Sequence, residues 1–252
     1  MFLFLLALPY FAIAQLEKET KIRVDSLHKA IKSTKKSIDK VDAYSELIDI
    51  YLDTNPNQAK KSIDELLKLN STNECKKCTT IGLFYLAHWY DRNGNAKKSL
   101  QYFEASAKNA LEDNDFFQYQ RGKAWKVQVH INSNELKQAE KELNEYFIRI
   151  KNLDDKTGLD EMYFLYGLIN YNKGFLKTAI ENYIKADEFI VNSKKDKPSM
   201  RIAITNNIAQ VYKEVGNYSK TIQYVESAYE QSVKVKDTFN IMNITLQRCD
   251  RN

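Results

Sequence analysis

Glycine and proline are scarce in this chain of 252 residues, which holds 7 of the first and 3 of the second. So small a supply does not furnish the turns of an all-β fold, and it excludes collagen-like and long linker sequences. Three cysteines are too few for a disulfide scaffold. An excess of one charge is also lacking, because 38 Lys and Arg face 33 Asp and Glu, for a formal net charge of +5. The densest basic stretch, Lys32 to Lys40, is closed by Asp39 and Asp42. Nucleic-acid binding needs basic residues clustered on one face, so the lysine excess reads as a solvated surface. Beyond residue 14 no run of about 20 apolar residues occurs, which leaves no membrane span in the rest of the chain. What remains is 43% hydrophobic and 28% charged, a composition that predicts a mostly helical chain with a substantial core.

The first fourteen residues, MFLFLLALPYFAIA, carry no charge and resemble nothing later in the chain. The run is too short to span a bilayer, and it ends in Ala12-Ile13-Ala14 before Gln15, a small-x-small pattern. We read 1–14 as a signal peptide cleaved after Ala14, and the chain as exported to the periplasm or another extracytoplasmic space; the alternative is a buried N-terminal helix. A charged n-region is missing, which points to a start upstream of Met1. No Cys follows the site, so a lipid anchor is not expected.

Internal repetition is the strongest signal. Short turns centred on Asn55, Gly94, Asn134, Gly174 and Gly216 recur at spacings of 39, 40, 40 and 42 residues. Before each turn lies a segment of helical period that carries Ile48, Ala87, Val127, Gly167 or Ala209, then Tyr51, Tyr90, His130, Tyr171 or Tyr212. After each turn comes Lys60 (with Ala59 beside it), Ser99, Ala139, Ala179 or Thr221, followed by Ile63, Phe103, Leu143, Tyr183 or the pair Tyr224 and Val225. Small residues let two helices approach, and large ones fill the groove to the next pair. Gly94, Gly174 and Gly216 suit the left-handed position that ends a helix.

Three segments carry a resemblance. They are Ala87-x-x-Tyr90-x-x-x-Gly94-Asn95 with Ser99, Phe103 and Ala107; Gly167 through Gly174 to Ala179, Tyr183 and Ala186; and Ala209-x-x-Tyr212-x-x-x-Gly216-Asn217 with Ala228. Together they resemble the tetratricopeptide repeat family. The resemblance implies an all-α fold, a right-handed superhelical solenoid of about five helical hairpins with an N-terminal capping helix. The expected organisation is a capping helix at 15–36, a repeat array at 37–236, and the start of a further, truncated repeat at 237–252. The period of about 40 exceeds the family's 34, so helices and loops are expected to be lengthened, notably at Asn70–Lys77, Asn152–Thr157 and Ser193–Pro198. The turns at Asn55 and Asn134 lack the glycine.

No catalytic signature stands out. His28, His88 and His130 lie on separate helical units without metal-ligand spacing, and no Gly-rich phosphate loop or nucleophile elbow occurs. No cofactor, metal or enzymatic activity is expected. Cys75-Lys76-Lys77-Cys78 has no second pair for a zinc ribbon and no His after it for haem attachment. In an exported chain Cys75 and Cys78 suit a local disulfide between hairpins. Two free thiols, or a redox or metal role, are the alternatives.

In tetratricopeptide arrays the first helix of each hairpin lines a concave groove that binds peptides. Carried onto this sequence, the groove positions are Phe84, His88, Arg92, Gln128, Asn132, Phe164, Leu168, Asn172, Asn206 and Gln210, with Ser45 and Asp49 at the first repeat. Amides with aromatic anchors suit an extended peptide or a partner helix; the alternative is that they merely solvate the inner face. The expected partner is a protein or peptide, with neither nucleic acid nor membrane engaged through this region. Leader, cap and array in that order resemble the extracytoplasmic tetratricopeptide region of bacterial (Bacteroidota-type) sensor and regulator proteins. The implied function is the input domain of a larger signalling or transcription-regulatory protein. The alternative is a free-standing periplasmic scaffold for an envelope complex.

Overall fold

The computed structural model describes the backbone of residues 7–70, 75–151, 158–193 and 196–235, together with residues 241 and 244. Eleven α-helices and one 3-10 turn occur in this order among the described residues, with no strand: α1 (Ala7–Ser33), the 3-10 turn Ile38–Lys40, α2 (Val41–Thr54), α3 (Pro56–Lys68), α4 (Lys76–Arg92), α5 (Ala96–Glu112), α6 (Phe116–Asn132), α7 (Leu136–Lys151), α8 (Leu159–Asn172), α9 (Leu176–Ser193), α10 (Pro198–Glu214) and α11 (Tyr218–Lys234). They fall into two compact units, Met1–Val129 and His130–Asn252. Of the predicted long loops, residues 71–74, 152–157 and 194–195 lie outside the described residues, while Lys76 and Lys77 already belong to α4 and Pro198 to α10. The lengthened helices are present, with 17 residues in each of α4, α5, α6, α10 and α11.

Five of the turns share one geometry, which follows from the residue at the helix end. Gly94, Gly174 and Gly216 take positive φ of 72°, 79° and 74°, and Asn114 and Asn134 adopt the same left-handed region at 56° and 58°. In each turn the next residue's N–H returns to a carbonyl five residues back, as in Asn95 N to Tyr90 O and Asp115 N to Ala110 O, both 2.8 Å. This Schellman arrangement satisfies carbonyls that the helix end leaves open. At three of the five turns the following helix is then capped by a side-chain oxygen. Asn95 accepts from Lys98 N at 3.1 Å, Asp115 from Gln118 N at 3.1 Å, and Asn217 from Lys220 N at 3.2 Å. Asn55 ends α2 and caps α3 without a left-handed residue, accepting from Gln58 N. That turn is shorter, so the buried small residue of the first hairpin is Ala59, while Lys60 pairs with Asp64 at 2.6 Å.

In the first unit, α2 pairs with α3 and α4 with α5 around Ile48, Ala59, Ile63, Leu66, Phe84, Ala87 and Phe103. The cap α1 sits on α2 through buried Leu27, the Arg23–Glu46 ion pair, and a 3.1 Å bond between His28 and the Tyr51 hydroxyl. Its helix is continuous from residue 7 and runs through the predicted cleavage point. Cys75 and Cys78 are joined in a disulfide at the head of α4, both almost fully buried. Cys75 N–H donates to the Asn70 side chain at 2.9 Å, and that amide in turn donates to Thr79 at 2.8 Å, so the connection from α3 is held at several points.

In the second unit, α8 pairs with α9 and α10 with α11. Ala179, Tyr183, Ala186 and Ile190 of α9 pack with Ile204, Ile208 and Val211 of α10. Lys173 reaches Glu140 at 2.6 Å and Tyr166 reaches Asn144 at 2.5 Å, which ties α8 to α7. The Tyr171 hydroxyl donates to Glu214, which sets the ends of α8 and α10 side by side. Ile244 is buried with Ile202, Ala209, Val225 and Ala228.

Candidate functional site

The helix that precedes each turn presents one face away from its partner, and in the first unit α2, α4 and α6 bring three rows of side chains together there. Asp49 and Asp53 come from α2, Tyr85, His88 and Arg92 from α4, and Arg121 and Trp125 from α6. The rows are cross-linked. Tyr85 donates to Asp49 at 2.9 Å, and Arg92 pairs with Asp53 while also donating to Leu52 O at 3.3 Å. The Arg121 guanidinium lies 3.8 Å from the centre of the Phe84 ring, and Trp125 stands edge-on to His88 at 4.3 Å. Each guanidinium therefore has an acid or an aromatic face as partner.

This packing controls ionisation. Burial, with Arg121 and Arg92 nearby, pushes His88 down to about 3, so the imidazole is neutral across the physiological range. Burial first, and then Asp49, pushes the Tyr85 hydroxyl up to about 12. Asp49 is solvent-exposed at its outer edge, yet the protein packed around its carboxyl raises it above the usual carboxylate range, against the lowering effect of Tyr85 and Arg121. A neutral imidazole, a protonated phenol and paired guanidiniums recognise by hydrogen bonding and stacking. Among the described residues, no group of three or more His, Cys, Asp or Glu is placed to hold a metal ion.

The positions expected from the sequence divide into several kinds. His88 and Arg92 stand in this cluster, and Gln128 lies on α6 beyond Trp125. Phe84 is a correction. Its ring is about 1% exposed and packs against Phe103 and His88 beneath Arg121, so it forms the floor and is not an accessible anchor. In the second unit, Asn132 is exposed at the end of α6. Phe164 and Leu168 are half-buried against the core that holds Tyr183 and Ile208. The Asn172 amide turns back onto its own helix at Leu168 O, 2.8 Å. Asn206 and Gln210 are half-buried on α10. Arg121 and Trp125 were missed, although Trp125 is 37% exposed and two such residues four apart on a helix share a face.

No family model matches this chain, and no curated protein matches it. Solved structures do match its fold. BtubC (BKLC) from P. vanneervenii superposes with a TM-score of 0.64 at 18% identity, over 86% of this chain and 92% of that one. A kinesin light chain protein of TPR-like repeats from Podosopora anserina gives 0.52 at 12% identity, over 81% and 100%. A signal transduction ATPase with a tetratricopeptide repeat sensor, from Pyrococcus horikoshii, gives 0.55 at 15% identity, over 88% of this chain and 35% of that one. Identities this low carry the fold alone. The fold is a tetratricopeptide-like all-α repeat.

Proposed function

We propose that this chain is an exported, non-catalytic protein-interaction module, and that it serves as the input region of a larger signalling or transcription-regulatory protein of the Bacteroidota type. The observation that carries the interaction reading is the α2–α4–α6 face, where Trp125 stands half-exposed beside a neutral His88 and cross-paired Arg92 and Asp53. Such a surface suits an extended peptide or a partner helix whose apolar side chain seats against the indole. The apolar leader ending at Ala14 supports export, and the sensor named in the archaeal ATPase is a precedent for this fold as an input domain.

Cross-linking in the source cell, followed by capture of the intact chain, tests the interaction. The expected result is one enriched partner whose recovery falls about tenfold in Trp125→Ala, the loss typical of an aromatic anchor. Equal recovery with Trp125→Ala and with a combined Arg92→Ala and Asp53→Ala variant overturns the assignment of this face. Amino-terminal sequencing of the protein from the periplasmic fraction tests export, and a mature end at Gln15 is expected. The second reading, a free periplasmic scaffold, is separated by the coding sequence after Asn252. A membrane helix followed by a kinase or DNA-binding domain supports the input reading, and an immediate stop codon supports the scaffold.

A further inference from the structure

The last two hairpin tips, α8–α9 and α10–α11, differ in chemistry from the earlier ones although the backbone geometry is shared. At the α4–α5 tip the exposed residues are Asn93, Gly94 and Asn95, and at the α6–α7 tip they are Ser133, Asn134 and Glu135, polar throughout apart from the turn glycine. At the α8–α9 tip the residue after the turn glycine is Phe175, 58% exposed. At the α10–α11 tip the glycine lies between Val215, 54% exposed, and Asn217, after which Tyr218 is 69% exposed. The Schellman turn and the cap require none of these side chains, since Asn114 and Asn134 form the same turn with polar neighbours. Three apolar or aromatic groups on two tips that Tyr171 and Glu214 hold together are therefore a surface feature with its own cause.

Exposed lysines stand within a few residues of them in the chain. Lys177, Lys213 and Lys220 are exposed, and among the described residues Lys177 and Lys213 are in no ion pair. Lys220 lies over the Tyr212 ring at 4.7 Å, which keeps its charge at the tip. The acids near them in the chain are Glu214, bonded to Tyr171, and Glu181, while Lys173 is paired with Glu140, so the tips carry a small net positive charge. Exposed aromatic and aliphatic side chains with lysines beside them in the chain are the composition that seats a protein at the boundary between lipid headgroups and acyl chains. We propose that the α8–α9 and α10–α11 tips dock on an anionic membrane surface, with Phe175, Val215 and Tyr218 entering the headgroup layer and the lysines pairing with lipid phosphate. The expectation of no membrane contact through this region rests on the lack of a spanning segment in the sequence. A docking tip needs no span, and no helix of the described residues is long and apolar enough to be one. The inference stands independently of the peptide-binding face.

The test is co-sedimentation of the intact chain with vesicles of equal parts phosphatidylcholine and phosphatidylglycerol, against vesicles of phosphatidylcholine alone. Residues 1–14 are common to every variant, so differences between variants report the tips. The triple variant Phe175→Ser, Val215→Ser and Tyr218→Ser is expected to lower partitioning into anionic vesicles by at least about tenfold. Lys177→Glu with Lys213→Glu is expected to do the same and to remove the salt dependence, since each lysine near such a surface is worth roughly fivefold. All these side chains are exposed, so unchanged helical circular dichroism confirms folding. In the wild-type chain, amide hydrogen exchange at the Gly174 and Gly216 turns is expected to slow when anionic vesicles are added, with the Gly94 turn unaffected. Equal partitioning of wild type and triple variant, or no slowing at those turns, overturns the proposal. So does a triple variant that differs from wild type only in self-association by sedimentation velocity, which would make the tips a contact between copies.

Discussion

The ring of Tyr183 on α9 occupies the space that a side chain on Gly167 of α8 would fill. A Cβ placed on Gly167 would lie 2.3 Å from Cε1 and 2.5 Å from Cδ1 of that ring. Both residues belong to the buried seam of the second unit, and the ring is rigid with nowhere to retreat. Alanine gains about 1 kcal/mol over glycine from helix propensity, but overpacking a seam of this kind costs about 1–3 kcal/mol. Gly167→Ala is therefore expected to lower unfolding stability. Combining it with Tyr183→Leu should recover most of the clash, as a double-mutant cycle by chemical denaturation would show. Additive effects in that cycle would mean that the two residues do not meet.

Tyr183 makes a second, opposite prediction. Its hydroxyl is buried with no hydrogen-bond partner among the described residues, and burial holds it well above the ordinary phenol range. A buried hydroxyl that makes no bond carries its desolvation cost uncompensated. Tyr183→Phe is expected to leave stability unchanged or raise it by about 1 kcal/mol, read from the midpoint of thermal unfolding. A loss of more than about 1 kcal/mol would reveal a partner for that oxygen.

The same seam shows how far the sequence could be read. Ile48, Ala87, Val127, Gly167 and Ala209, picked out by spacing from the turns, are all buried, as are Ser99, Ala139, Ala179 and Thr221. Repetition makes such positions visible because every hairpin has the same packing problem. Departures from the repeat were hidden for physical reasons. The Asn114 turn joins α5 to α6 as Gly94 joins α4 to α5, yet an Asn in the left-handed region looks like any loop residue in one sequence. Lys60 stands at the spacing that holds the small residue in the other hairpins because the Asn55 turn is shorter than the others, and Ala59 takes the buried place. Phe84 was placed on the inner face by counting. Its burial depends on Arg121 from another helix lying over it, a tertiary fact that no periodicity encodes.

The two non-glycine turns invite repair. Asn114 and Asn134 hold φ of 56° and 58°, a region that costs most L-residues roughly 1 kcal/mol and glycine almost nothing. Asn114→Gly and Asn134→Gly are expected to be neutral or to add up to about 1 kcal/mol of stability. Gly94→Ala, with open space around it and φ of 72°, is expected to lose about 1 kcal/mol through backbone strain alone. Urea denaturation of the three variants checks the contrast, and a destabilised Asn114→Gly would show that the Asn side chain is needed there.

The Cys75–Cys78 disulfide closes a short loop, with 5.3 Å between the Cα atoms. Constraint of the unfolded chain by so small a loop is worth about 2 kcal/mol. Both cysteines are almost fully buried, so a reductant reaches them only when the head of α4 opens. Cys75→Ser with Cys78→Ser is expected to lower stability by about 2 kcal/mol. In the native chain, reduction monitored by thiol labelling and mass spectrometry should be slow without denaturant and fast with it. Rapid labelling of the folded chain would mean that the α3–α4 connection opens freely.

His88 supplies a pH dependence whose sign and window follow from its packing. The imidazole is held down at about 3 against an ordinary value of 6.5 by burial and by the guanidiniums of Arg121 and Arg92. The unfolded chain therefore binds a proton at this residue well before the folded chain does. Stability contributed by the neutral ring is fully present above pH 6.5 and is lost as pH falls from there toward 3. The slope is at most about 1.4 kcal/mol per pH unit, with screening at the partly open edge of the ring reducing it. The carboxylates around the cluster act lower. Glu104, held down by Lys123 and Lys126 against its own burial, loses its contribution only below its ordinary 4.5. Asp49 and Asp91, both raised mainly by burial, act with the opposite sign near and above their ordinary 3.8. Between about pH 5 and 6.5 the slope that distinguishes wild type from His88→Phe therefore reports the imidazole alone. Phenylalanine keeps the edge-on contacts with Trp125 and Phe103. Urea denaturation across that interval should show stability falling by up to about 2 kcal/mol in wild type beyond any fall in His88→Phe. Parallel profiles would mean that His88 takes up its proton in the folded chain, and that the α2–α4–α6 face carries a charge the packed imidazole excludes.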